Sequence, residues 1–210
     1  MTRLVAAGRA ALWLSLVLAA GCIPLAEPEA YLQRKAVPVP SLGRVTVCHG
    51  YDCTYRSPVV FSAAEWRQVR DRFQTRPADA AAERRAIAAA IALIEEIVGR
   101  RVGTATDKGG IALIAAGDAT QQDCIDESTN TTAYLLLMVQ DGLIRHHRVA
   151  EPASRGVFLD FRWYHQSAVI AEHGSGREFV VDSWYGDNGA PPVVTTLDQW
   201  QSSYGRPDGA

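Results

Sequence analysis

The chain has 210 residues, 21 basic and 23 acidic side chains, a formal charge of −2 and 48% hydrophobic residues. That is enough chain for one ordinary domain with its own core, and too little positive charge for a surface that holds nucleic acid through its phosphates. No run of residues is long and apolar enough to span a bilayer, which takes about 20.

Residues 1–21 read as an export signal: Arg3 and Arg9, an apolar run over 10–20, then Gly21 directly before Cys22. The ending from Leu18 to Cys22 resembles a lipobox, in which small residues admit the signal peptidase and the cysteine takes a lipid. The usual leucine three places before the cysteine is Ala19 here. An ordinary cleaved signal is the alternative, and on both readings the chain leaves the cytoplasm. The lipid would anchor it on the periplasmic side, and Ile23 after the cysteine, rather than Asp, points to the outer membrane. Cleavage removes two arginines and no acid, so the mature chain carries −4.

Residues 22–43 contain four prolines among small and polar residues and are expected to form an extended tether, with the folded domain over 44–205. Cys48 and Cys53, close together in an oxidising compartment, predict a disulfide and leave Cys124 unpaired. Ser62 and Glu65 have capping-box spacing, with Trp66, Val69 and Phe73 at helical intervals, so a helix is predicted over 62–74. A second, from Pro77 to Gly99, carries the stripe Ile87, Ile91, Ile94 and Val98. A third, from Asp123 to Gln140, is apolar on every side between Ala133 and Val139 and is expected to be buried all round, stopping at Gly142. Strands are then predicted at 143–149, 157–161, 166–172 and 178–184, the last two joined by a turn over His173–Gly176. Helices followed by an antiparallel sheet describe an α+β domain.

With Asp123 as N-cap, Cys124 falls in the first turn of the buried helix, where unpaired N–H groups and the dipole favour thiolate and the cysteine's own N–H can face an oxyanion. Asp123, Asp126 and Glu127 oppose this with negative charge. The base is expected from the hairpin. A turn centred between Gly174 and Ser175 sets His165 opposite Trp184, with Asp182 diagonal to His165 on the same face, within about 7 Å. That is the nucleophile, base and orienter order of a triad. His146 and His147 are weaker bases on this reading, since neither has an acid placed as Asp182 is. His173 reads as a turn tip and His49 as a loop residue. Trp163, Tyr164, Trp184 and Tyr185 flank the site as packing or cleft walls. The sequon at Asn130 lies inside a helix and reads as incidental, and Cys48, His49 and Cys53 lack a usual zinc spacing.

From Cys48 to Asn188 the chain resembles the bacterial transglutaminase-like cysteine proteinases. The resemblance is carried by Cys48-His-Gly-Tyr-Asp-Cys53, Phe61-Ser-Ala-Ala-Glu-Trp66, the Asp123-Cys124 step, Gly142, His165-Gln-Ser-Ala-Val-Ile170 and Phe179-Val-Val-Asp182. It implies a papain-like fold with Cys124 as nucleophile, His165 as base and Asp182 as its orienter, acting on peptide or protein amides through an acyl-thioester. No cofactor is implied beyond the calcium that some members hold on acids either side of the cysteine; here Asp123 remains, and Ile125 takes the other position. The alternatives are an inactive binding or scaffolding lipoprotein of the same fold, and an acyl-transferring, cross-linking enzyme with an amine acceptor. Sequence names neither the substrate nor the oligomeric state.

Overall fold

A computed structural model describes residues 27–110, 115–156 and 164–207. Its order is α1 (Pro28–Arg34), β1 (Arg44–His49), β2 (Tyr55–Val60), α2 (Ala63–Asp71), α3 (Ala80–Val102), α4 (Cys124–Gln140), β3 (His147–Arg155), β4 (His165–Glu172), β5 (Glu178–Asp182), β6 (Val193–Thr196) and α5 (Leu197–Ser202). The strands form two antiparallel sheets, a β1-β2 hairpin and a four-stranded β3-β4-β5-β6 sheet. The domain is α+β, as its element order predicts. No described helix is long and apolar enough to cross a membrane.

Helix α4 lies at the centre, packed against β4, β1, β3 and β5, and its residues Asp126 to Met138 are all buried. The apolar half was legible as an all-round buried segment; the polar half before it is buried as well. Helix α2 starts where expected, its capping box closed by Ser62 and Glu65 in both directions. Helix α3 begins at Ala80 on an Asp79 cap, after Pro77, and runs past Gly99 to end at Gly103, whose φ of 93° provides the left-handed stop. Gly99 has a packing role instead: a Cβ there would lie 2.7 Å from Asn188 Oδ1.

Two expectations change. Residues 27–43 are not wholly extended tether, because α1 forms and Tyr31, Leu32 and Val37 are buried in the main core. Pro28 sits at the helix start, where a missing N–H costs nothing. The strand expected at 143–149 begins only at His147 and continues to Arg155 through a register shift between Ala150 and Ala153. The strand expected at 157–161 lies outside the described residues. The β1-β2 hairpin, β6 and α5 were not anticipated. In contrast, β4 and β5 pair Ala168 with Val181 and Val169 with Val180, the register expected from the Gly174–Ser175 turn.

Loop 104–110 reaches the end of β5 through Gly110 N–H to the Trp184 carbonyl at 2.8 Å. A Cβ on Gly109 would lie 2.7 Å from backbone atoms of Tyr185 and Gly186, which have no rotamer to move. Gly109→Ala is expected to destabilise the domain by about 1–3 kcal/mol, the usual cost of overpacking. Urea denaturation checks this, and a loss no larger than that of an exposed surface substitution would contradict the close approach.

Candidate active site

Cys124 is the first residue of α4 and is not in a disulfide. The N-cap Asp123 accepts from Ile125 N–H at 3.1 Å and Asp126 N–H at 2.9 Å. This capping leaves the Cys124 N–H beside its own sulfur, while the N–H of Gln166 in β4 also reaches that sulfur. These donors and the helix dipole do not make a resting thiolate. Burial pushes the thiol up to about 12, and the charges of Asp123 and Asp182 act in the same direction. Desolvation therefore outweighs the helix terminus, and the resting group is a protonated thiol.

His165 and Asp182 meet as the register requires, His165 Nε2 lying 2.7 Å from Asp182 Oδ2 with both side chains buried. The Nδ1 of His165 is buried with no hydrogen-bond partner among the described residues. Gln166, whose N–H reaches the Cys124 sulfur, is the next residue in β4, so one strand end serves both groups. Aromatic rings surround the imidazole: Trp184 at 4.4 Å, Tyr185 at 5.4 Å and Trp200 at 5.4 Å between centroids. The indole N–H of Trp200 donates to Asp182 Oδ2 at 2.7 Å. Trp200 went unnoticed in the sequence, where a lone Trp in a polar C-terminal stretch carries no periodic signal. Of the other aromatic candidates, Tyr164 is exposed, with its hydroxyl 3.2 Å from Ser154 Oγ, and Trp163 lies outside the described residues.

The Cys48–Cys53 disulfide is formed. Its loop runs through four successive left-handed residues, Gly50 to Cys53, three of which are not glycine. Such residues are costly and persist only where the surroundings fix them. Here the fixing groups are the acids beside Cys124: Asp126 accepts from Tyr51 N–H at 2.8 Å and Cys53 N–H at 2.7 Å, and Asp123 from Asp52 N–H at 3.3 Å. Donor atoms of Cys48, Cys53 and Asp126 lie within 4.8 Å of one another, but the sulfurs are bonded to each other and the carboxylate is occupied by backbone N–H groups. That set does not fit a metal ion. A calcium site built on carboxylates both sides of Cys124 would have only that of Asp123, since the Ile125 side chain carries no oxygen.

The rival histidines have structural partners. His147 does have an acid, contrary to expectation, with Nδ1 2.8 Å from Glu83 Oε1. Its Nε2 faces Arg84 at 3.1 Å, so no ring nitrogen remains to act as a base. His146 Nε2 meets the Pro77 carbonyl, and His49 bridges the Ala119 carbonyl and Ser57. His173 is an exposed turn residue. Asn130 is buried, bonded in both directions to the backbone of Cys48 at 2.7 and 2.8 Å, and is no sugar acceptor in this fold.

Behind Cys124, Glu127 of α4 faces Glu95 of α3 and Asp107 in a wholly buried acidic group. Burial raises all three, Glu95 to about 8 and Asp107 to about 7, and the charges of Glu95, Asp107, Asp126 and Asp182 add to the rise at Glu127. The fold thus favours the protonated acids. Their contribution is fully present below the unfolded value, 4.5 for Glu95, and is lost as pH rises through about 8. Thermal stability should fall across that interval, and Glu95→Gln, which mimics the protonated acid, should flatten the fall. A melting temperature that rises over the same interval would contradict the assignment. No family model, curated protein or solved structure matches this chain.

Proposed function

We propose that the chain is a thiol-dependent amide hydrolase, with Cys124 as nucleophile, His165 as general base and Asp182 as the group that orients it. The single observation supporting this most directly is the buried His165–Asp182 contact at 2.7 Å, beside a strand residue whose N–H reaches the Cys124 sulfur. The Asp182 contact engages Nε2 and leaves Nδ1 as the nitrogen available to take the thiol proton. Because the resting thiol is protonated, the proton moves to His165 as sulfur attacks the amide carbonyl. The Cys124 N–H faces the developing oxyanion, His165 then gives its proton to the leaving amine, and water reverses the sequence to release the acid.

A cysteine at the N-terminus of a central helix, with a paired His and Asp on neighbouring antiparallel strands packed against that helix, supports the papain-like reading of the fold. The substrate class is a peptide or protein amide outside the cytoplasm. The export signal and the Cys22 lipobox support a lipid-anchored location on the periplasmic side, with the outer membrane favoured by Ile23. A second reading, a binding lipoprotein of the same fold without turnover, is favoured by one observation: burial pushes the Cys124 thiol up to about 12.

Site-resolved alkylation of Cys124 with iodoacetamide at graded pH separates the two. In the hydrolase, labelling at neutral pH depends on His165, and His165→Ala and Asp182→Asn each slow it by roughly 10²-fold, by comparison with other triads. In His165→Ala the rate should climb steadily with pH towards the intrinsic thiol value. Wild-type labelling that already follows that slow climb, unchanged by either substitution, would establish the binding reading instead.

A further inference from the structure

The carboxylate that holds His165 is itself held from the far end of the chain. Trp200 is fully buried, and its indole N–H meets the same Asp182 oxygen as His165 Nε2. An indole N–H only donates, so it binds the carboxylate without competing for the imidazole's proton. It fixes which oxygen faces the ring. Trp200 sits in a small apolar cluster with Ala150, Val169 and Val180, apart from the main core.

Arg155 secures this arrangement. It ends β3 directly opposite His165 in the strand pairing, and its guanidinium lies 4.6 Å over the Trp200 ring. It donates to the carbonyls of Ser203 at 2.9 Å and Gly205 at 2.8 Å, and also to the Trp200 carbonyl, Ser203 Oγ and Tyr185 Oη. One side chain therefore joins α5, the residues after it and a ring that touches the imidazole. A cavity of about 110 Å³ beside His165 has Arg155, Tyr185 and residues 203–205 among its walls.

We propose that Trp200 is a positioning residue for the His165–Asp182 pair, and that Arg155 keeps it seated by clamping residues 200–205, so that the C-terminal segment is a working part of the site. The inference rests on the thiol chemistry proposed above. Trp200→Phe keeps an aromatic ring for the Arg155 stack and removes the N–H together with the five-membered part of the indole. Arg155→Met releases the clamp, leaves Trp200 and its apolar neighbours unsubstituted, and serves where the Phe variant does not fold.

The test is the rate of Cys124 alkylation by iodoacetamide as a function of pH in the full mature chain, read by mass spectrometry of the Cys124 peptide, with thermal melting alongside. Trp200→Phe should melt cooperatively, label about 10-fold more slowly near neutrality and shift the pH at which the rate rises; Arg155→Met should change the profile in the same direction. Added to His165→Ala, Trp200→Phe should slow labelling no further, because residues acting through one group are not additive. A Trp200→Phe profile that overlays wild type, while His165→Ala is slow, overturns the positioning role and leaves the hydrolase reading standing. If Trp200→Phe does not fold, an Arg155→Met profile that overlays wild type overturns it equally. If His165→Ala also overlays wild type, both fall.

Discussion

Burial of a helix from Asp126 to Met138, the first half of that stretch polar, is the constraint from which the rest of the structure follows. Helix α4 carries Asp126, Glu127, Ser128, Thr129, Asn130, Thr131 and Thr132 in succession, all removed from water. Buried polar groups without partners cost more than hydrogen bonds return, so most of these residues draw another element inward. Asp126 draws in the disulfide loop, and Asn130 draws in the backbone of Cys48. Thr129 meets the Tyr31 hydroxyl at 2.8 Å, and Ser128 meets Gln166 at 3.0 Å, which locks α1 and β4 to the same helix. Thr131 meets Ser183 at the end of β5. The strand ends carrying His165 and Asp182 are thus brought to the helix end carrying Cys124 by partners within one turn or two of the cysteine.

Thr132 turns back to the Ser128 carbonyl of its own helix, and Glu127 sets the electrostatics of the interior. It is surrounded by further acids, and the desolvation that would be ruinous for several charges together is relieved by keeping protons on them. Cys124 obeys the same rule. Burial behind Cys124 therefore holds these ionisable groups neutral. This suits chemistry in which charge develops during reaction, because a preorganised and water-poor surrounding makes each aimed dipole count for more.

What the sequence made legible follows from how local each cause is. The hairpin register depends on a glycine turn and the period-2 pleat, both local, so the contact of His165 with Asp182 was within reach. The capping box at Ser62 and the N-cap at Asp123 are likewise local. Trp200, Arg155 and Tyr31 act across long stretches of chain, and nothing near them in sequence marks their partners. The stop expected at Gly99 failed because a glycine ends a helix only where the backbone turns left-handed, and at Gly99 the missing side chain instead makes room for Asn188. The state of the thiol stayed open in the sequence for a related reason. A helix terminus can be read from a pattern, whereas the depth at which it is buried cannot.

The early start of the folded body has a mechanical consequence. Since α1 is part of the core from Pro28 onward, four residues lie between Cys22 and the first described residue, Glu27, five steps along the chain that span at most about 18 Å. With a lipid on Cys22, so short a leash would hold the body against the bilayer rather than let it roam the space beyond. Encounters would then be confined to a thin layer, where targets fixed to the same surface are present at high effective concentration. Freely diffusing targets would have to come to that layer to be met at all.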